Sequence, residues 1–308
     1  MFLCCGEALI DMVPMQGAAG EQGFRPLPGG AIFNTAVSLG RLGQPVALLA
    51  GISTDLFGQM LTHTLRASAV QTDFLVSSPQ PTCLAFLQLQ NGQANYTFYA
   101  ENCAGNSLTT TAMPAIDDAV TGLYFGGISL LMEPAAEAYV ALAEQQAGSR
   151  LIVLDPNIRP SLMQDPMGYR QRLQRLLQVA HLVKVSDEDL AWLVPEVGNE
   201  QKAVQSLQGH DQQIIIVTQG AAGAVAYLPD GSQVTQAAVA AKVVDTVGAG
   251  DTFNAGVLAS LMEQQLTTPA ALVTANHTQW QQALKLGARV AAITVGRAGA
   301  NPPWHSEL

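Results

Sequence analysis

The chain has 308 residues, of which 48% are apolar and only 12% charged, a balance that fits one large or two modest folded domains and excludes disorder. Its formal net charge of -10 opposes nucleic-acid backbones and anionic membrane surfaces, so neither is expected as a partner. With no apolar run of about 18 residues, no basic residue ahead of the first apolar stretch and no zinc pattern in Cys4, Cys5, Cys83 and Cys103, the expectation is a soluble cytoplasmic protein with buried free thiols.

Residues 2–12 form a buried first strand in this reading, interrupted by Glu7 and Asp11. Asp11 either caps a turn or points into a site at the strand's carboxyl end, where open α/β sheets bind ligands. Residues 15–30 are rich in Gly, Pro and Gln and end in Pro-Gly-Gly, and residues 31–42 carry Ile32, Ala36 and Leu39 at helical spacing up to Gly43. Gly29 and Gly30 let a ligand lie against bare backbone. Asn34, one turn into the helix, either offers a donor and an acceptor to hydroxyls or faces solvent.

Residues 45–52 are a second strand and 57–69 a helix, so β and α alternate as in a parallel sheet. The pattern then changes: residues 82–90 and 95–100 are β-prone runs on either side of Asn91-Gly92, a hairpin signal. With strands from the region of Met12 to Leu27 they are expected to form a separate small sheet. Phe98 and Tyr99 are candidates to face a ligand, with packing inside that sheet as the alternative for at least one.

From Leu123 the alternation resumes with a strand through Ser129, a helix over 134–146 and the strand RLIVLD, which leads into PNIRP. Arg159 either steadies phosphate charge or pairs with Asp155 or Asp165. Residues 181–185 are a further strand, and the acidic first turn of SDEDLAWL suits a helix dipole. Lys184 lies near a bound phosphate or is simply exposed. Residues 214–218 are a continuous apolar strand, hence central, and on its own residues the following Thr218-Gln219-Gly220-Ala221-Ala222-Gly223 is a plain turn.

The stretch AKVVDTVGAGDTFNAG, 241–256, has the order of strand, glycine turn and helix, with Phe253, Val257, Leu258, Leu261 and Met262 on one helical face. The first N–H groups of a helix have no partner within it, and its dipole is positive there, so main-chain amides at Gly248 and Gly250 can hold an anion. Asp251 beside such a cradle either caps the helix or accepts a proton. Phe253 breaks the dinucleotide glycine pattern, and no Gly-Lys-Ser/Thr follows. A last helix over 278–293 precedes GRAGANPPW, and the five histidines are scattered, which gives no hydrolase triad.

DTVGAGD, 245–251, resembles the D-T-x-G-A-G-D signature of the ribokinase-like (PfkB) sugar kinases, and PGGAIFNTAVSLGRLG, 28–43, resembles that family's first signature. GEALID, 6–11, looks most like the fructokinase branch, and Asp155, Asn157 and Arg159 match its D-x-N-x-R. The resemblance implies an α/β, ribokinase-like three-layer fold with a mainly parallel central sheet and a small β-sheet lid. It spans one domain over 1–308, with lid strands from about 12–30 and 72–104. It implies transfer of the γ-phosphoryl group of ATP to a primary hydroxyl of a sugar, D-fructose first. Keto-deoxygluconate, ribose and nucleosides are rival acceptors, and a non-catalytic sugar- or nucleotide-binding regulator is the rival of another class.

By the same resemblance Asp251 is the base, with an ordinary pKa of about 4. Gly248, Ala249 and Gly250 form the anion hole, with Arg159 steadying charge. Asp11, Gly29, Gly30, Asn34 and Phe98 hold the sugar, and Lys184, Thr218, Gly220, Gly223, Gly248, Gly250, Ala288 and Gly299 line the ATP site. The family's N-x-x-E becomes Ser186 and Asp189 here, which makes Asp189 the metal candidate, through water, for the Mg²⁺ that accompanies ATP. Ala100 stands where related kinases carry Arg. By analogy K⁺ binds backbone near Asp245 and Val247, and the lid pairs two copies into a homodimer.

Overall fold

Six short strands running in one direction form the middle of the molecule. The computed structural model describes residues 1–17, 20–90, 93–195 and 197–308, and for 88–90 and 93–96 the backbone alone. Its strands are β1 (Phe2–Cys5), β2 (Leu9–Gln16), β3 (Gln22–Gly29), β4 (Val46–Leu49), β5 (Gly51–Ser53), β6 (Val76–Ser78) and β7 (Leu84–Gln90). They continue with β8 (Gln93–Tyr99), β9 (Gly122–Gly126), β10 (Leu151–Asp155), β11 (Leu182–Ser186), β12 (Ile214–Thr218), β13 (Ala224–Tyr227) and β14 (Gln233–Gln236). The central sheet has the order β14-β13-β12-β11-β10-β9-β1-β4. Its strands from β12 to β4 are mutually parallel, while β13 and β14 are antiparallel additions at one edge.

The parallel strands read as near-continuous apolar runs because helices cover both faces. One layer contains α1 (Ala31–Arg41), α2 (Leu56–Ala67), α7 (Ala249–Glu263), α8 (Pro269–Val273) and α9 (His277–Val295), packed on Phe2, Cys4, Val46, Tyr124, Val153 and Ile216. The other contains α3 (Ala135–Gln146), α4 (Pro166–Val179), α5 (Asp187–Leu193) and α6 (Glu200–Leu207), packed on Leu3, Cys5, Ala47, Phe125, Ile152 and Ile215. Alternate residues of one strand thus belong to different cores, as the period of two requires.

A four-stranded sheet in the order β3-β2-β7-β8 stands apart. The two β-prone runs pair antiparallel with Leu84 opposite Tyr99; their Asn91-Gly92 turn lies outside the described residues. Leu27, Asp11, Ala85 and Phe98 are in register across this sheet and so share one face. Phe24, Phe86 and Tyr99 form an aromatic row on the other, with ring centroids 5.0 and 5.4 Å apart.

Several expectations are corrected. Residues 2–12 are two strands in different sheets, because Glu7 turns inward and both its carboxylate oxygens accept backbone N–H groups from elsewhere. Residues 45–52 divide likewise, β5 leaving to pair with β6. Residues 241–244 are no strand: the N–H groups of Val244 and Asp245 donate to Val295 O at the end of α9, and Val243 and Val244 are 61% and 58% exposed. Capping a helix end displaced sheet pairing there.

Cys83 and Cys103 are joined in a disulfide, with Cα atoms 5.3 Å apart, instead of lying as free thiols. They flank the two ends of the β7–β8 hairpin, so strand pairing brings them together. A cross-link over a 20-residue separation is worth about 3 kcal/mol in the chain-entropy account. Cys4 and Cys5 are free and buried, and burial pushes both thiols well above their ordinary range. Among the described residues no helix is long and apolar enough to cross a membrane.

Candidate active site

β1 pairs with β4 on one side and β9 on the other, so the strand order reverses at the carboxyl ends of β1 and β9, where open sheets form a crevice. The start of α7 lies there. Gly248 precedes the helix at φ 76°, a backbone that favours glycine, and a Cβ on it would lie 2.6 Å from Ala300 Cβ. Glycine therefore lets the loop turn beneath the C-terminal segment.

Asp251, in the first turn of α7, is 7% exposed. Asn34 Nδ2 donates to its Oδ2 at 2.9 Å, and Thr35 Oγ1 donates to its backbone oxygen at 3.2 Å, so α1 and α7 are locked together at this residue. The Pro-Gly-Gly junction starts α1 at Ala31 and thereby sets Asn34 one turn in. Burial pushes the Asp251 carboxyl up to about 7; the Asn34 hydrogen bond opposes that, Asp155 and Glu7 add to it, and Lys184 draws it back. The expected ordinary value of about 4 omitted desolvation, which tertiary packing alone supplies.

A second layer of polar groups lies behind this turn. Asp155 Oδ2 accepts from Lys184 Nζ at 3.2 Å and from Asn254 Nδ2 at 2.6 Å, and Asn254 Nδ2 also donates to Tyr124 Oη at 2.8 Å. Lys184 is buried, not exposed, and its Nζ is 3.2 Å from where a Cβ on Gly250 would be. A cation thus lies directly behind the amide loop. Glu7 completes the frame by accepting from Ala31 N at 2.9 Å and Ser129 N at 3.2 Å, which ties the start of α1 to the turn after β9. Glu7, Tyr124 and Asn254 were missed as site residues; the one sequence signal was an acidic residue inside an apolar strand.

Asp11 lies on the face of the small sheet that also carries Leu27 and Phe98, with its carboxylate against Gly29. Burial pushes it up to about 6. Leu27 Cδ1 is 3.8 Å from a Cβ built on Gly299, next to the Ala300 that packs on Gly248, so this face looks toward the start of α7. Tyr99 points to the other face and is 62% exposed. Ala100 is buried with the Cys83–Cys103 pair. Beside it opens a cavity of about 480 Å³ lined in part by Glu101, Asn106, Met132, Glu133, Asp165 and Arg172.

Other predicted residues are placed differently. Arg159 is exposed and donates to the carbonyls of Asn157 and Ile158 in its own loop; Asp155 pairs with Lys184 instead, and Asp165 caps α4. Asp189 commits Oδ1 to Ile158 N and Oδ2 to Ser186 N, closing a capping box at the start of α5. Among the described residues no group of three or more His, Cys, Asp or Glu converges on a metal position. The described residues thus do not form a protein-built divalent site and suit an ion carried by phosphate oxygens and water.

Ala249 N–H donates to Thr246 O at 3.2 Å, which removes that amide from the expected anion hole. Thr218 Oγ1 donates to Val185 O at 3.4 Å, and the exposed turn over 219–223 is closed by Gln219 N–H to Gly223 O at 2.8 Å. A Cβ on Gly220 would meet nothing within 4 Å. Gly299 N–H donates to Asp245 Oδ2 at 2.8 Å, and Val247 N–H to Oδ1 at 3.0 Å, so Asp245 joins the two loops. Ala288 is buried next to Gly287, whose backbone meets Gly256 where α9 crosses α7. The fold thus gathers Asn34, Lys184, Gly248, Gly250 and Asp251 into one constellation. Thr218, Gly220 and Gly223 lie on a separate loop.

The model of the pfkB family of carbohydrate kinases matches residues 1–307. A fructokinase of Rhizobium leguminosarum bv. trifolii is 45% identical to this chain over 287 residues, which cover 93% of this chain and 86% of that protein. Among solved structures, the fructokinase of Xylella fastidiosa with bound ATP is similar at a TM-score of 0.87 and 27% identity, over 97% of this chain and 93% of that one. The fructokinase of Vibrio cholerae O395 bound to fructose, ADP and calcium is similar at a TM-score of 0.83 and 26% identity, over 97% and 94%.

Proposed function

Because the chain belongs to the pfkB family of carbohydrate kinases, we infer that it is an ATP-dependent sugar kinase of ribokinase-like fold, converting D-fructose to fructose 6-phosphate. The observation that carries the chemistry is the buried Asp251 carboxylate, held by Asn34 at the amide-lined start of α7. In a loose phosphoryl-transfer transition state the attacking hydroxyl loses its proton late, and a carboxylate fixed beside it accepts that proton. The amides at Gly248 and Gly250, with the positive end of α7, face the charge that develops on the transferred group. Asp11, Gly29, Gly30, Asn34 and Phe98 hold the sugar. Arg159, exposed and donating to the carbonyls of Asn157 and Ile158, would have to leave its own loop to steady phosphate charge.

ATP enters on the side of Thr218, Gly220, Gly223 and Gly299. Mg²⁺ comes with it and supplies neutralising charge on the phosphates, in keeping with the lack of a carboxylate cage among the described residues. A neutral sugar suits the site better than an acidic one. Ala100 stands where related kinases carry Arg, so no basic side chain is offered to an acidic sugar at that position. The aromatic row of Phe24, Phe86 and Tyr99, turned away from Asp11, suits pairing with a second copy. A cytoplasmic location suits an enzyme that consumes ATP, although the Cys83–Cys103 cross-link is the opposite of what a reducing compartment favours.

A coupled ADP-release assay across fructose, ribose, keto-deoxygluconate, mannose and adenosine tests the assignment. Fructose is expected to give the highest kcat/KM by about tenfold or more, a difference of about 1.4 kcal/mol in transition-state binding. ADP release at one rate with and without sugar would refute it.

A further inference from the structure

Asp155 has no task in the chemistry just described, yet it is buried at the carboxyl end of β10, 1% exposed, and surrounded by donors from three segments. Its Oδ1 accepts from Asn157 N at 3.2 Å in the loop that follows. Its Oδ2 accepts from Lys184 on the neighbouring strand β11 and from Asn254 on α7, one turn beyond Asp251. Asn254 in turn reaches Tyr124 on β9. Three adjacent strands are thereby fastened to the helix that begins with the amide loop.

A buried ion pair is a poor stabiliser. Removing two charges from water costs several kcal/mol per ion, and an apolar or neutral pair of similar volume usually serves the fold as well. The geometry points to a different use. Lys184 Nζ lies behind Gly250, and Asp155 occupies one of its three donors, which fixes the direction of the ammonium. We propose that Asp155 is a positioning residue for phosphoryl transfer: through Lys184 it aims a cation at the back of the amide loop, and through Asn254 it holds α7 in register with β10. The loop and its charge then stand ready before ATP arrives, so no reorganisation is needed as negative charge develops. This rests on the kinase assignment and extends it to Asp155 and Asn254, which act through Lys184 and α7.

The test uses Asp155→Asn, Lys184→Met and the double variant, with melting temperature, kcat and both Michaelis constants measured for each. Asp155→Asn is expected to lower kcat by about 10- to 100-fold and to raise the Michaelis constant for ATP, while that for fructose stays within about twofold. In the double variant no charge is left unpaired, so its melting temperature returns to that of the unaltered protein while kcat stays low. A double variant with full kcat would reduce Asp155 and Lys184 to a replaceable structural pair and overturn the proposal. Asn254→Leu cuts the arm to α7 without removing a charge and is expected to lower kcat with the same ATP-side split; full activity there overturns the helix half. ATP affinity by calorimetry separates the proposal from the kinase assignment. An unaltered protein that releases no ADP with sugar sinks the assignment, whereas equal ATP affinity in the unaltered protein and Asp155→Asn sinks the positioning role.

Discussion

The two sides of α7 differ in how much of their geometry exists without a ligand. On the Asp251 side the buried side chains are tied to protein partners: Asn34 to Asp251, Thr35 to the backbone of Asp251, Glu7 to Ala31 and Ser129, Asp155 to Lys184 and Asn254. On the other side, where ATP is proposed to enter, Gly220, Ala221 and Ala222 of the turn are exposed, and residues 237–244 lie on the surface without regular structure. Phosphoryl transfer demands position, which a buried network supplies in advance. A nucleotide must enter and leave, and an exposed loop permits that.

Asp251→Asn tests the first half of this contrast most severely. Turnover is expected to fall by about 100- to 10000-fold, the usual scale for a general base, with little change in fructose affinity. Near-normal turnover would show that the buried constellation is only structural.

The pH dependence has the next largest effect. With Asp251 pushed up to about 7 by burial, kcat/KM for fructose is expected to fall about tenfold per pH unit below 7, and Asp11, raised to about 6, steepens the fall at lower pH. The same shift has a stability consequence of opposite sense. A carboxyl raised above its unfolded value of 3.8 contributes its full share below that pH and loses it as pH rises through 7. The ligand-free Asp251→Asn protein should therefore melt higher than the unaltered one at pH 8, by a margin of a few kcal/mol at most, at about 1.4 kcal/mol per tenfold change in proton affinity. The margin should shrink as pH falls toward 4; a margin independent of pH would contradict desolvation as the cause.

The smallest effect belongs to the exposed side. Gly220→Ala places a methyl in open space at φ 53°, so stability should fall by about 1 kcal/mol, and the Michaelis constant for ATP should rise less than tenfold while that for fructose is unchanged. A loss of turnover as large as that of Asp251→Asn would erase the distinction between the two sides.

Much of this was legible in the residues. The apolar runs of β10, β11 and β12, the helical spacing of α1, α3 and α9, and the Gly-Ala-Gly before Asp251 appear as local patterns, because periodicity and glycine chemistry act over a few residues. The antiparallel edge strands β13 and β14 and the helices α4 and α6 were not foreseen. The inward turn of Glu7 that splits the first strand has no local signature either, and neither does the pairing of Cys83 with Cys103, which depends on hairpin register.

By itself the sequence marked the strands β10, β11 and β12, the helices α1, α3 and α9, and the glycine turn that places Asp251 at a helix start. Only the tertiary structure decided the electrical state of that carboxylate. Desolvation and the placement of Asp155, Glu7 and Lys184 around it depend on contacts between residues about 60 to 250 positions apart in the chain, and proton affinity follows from those surroundings and not from residue type.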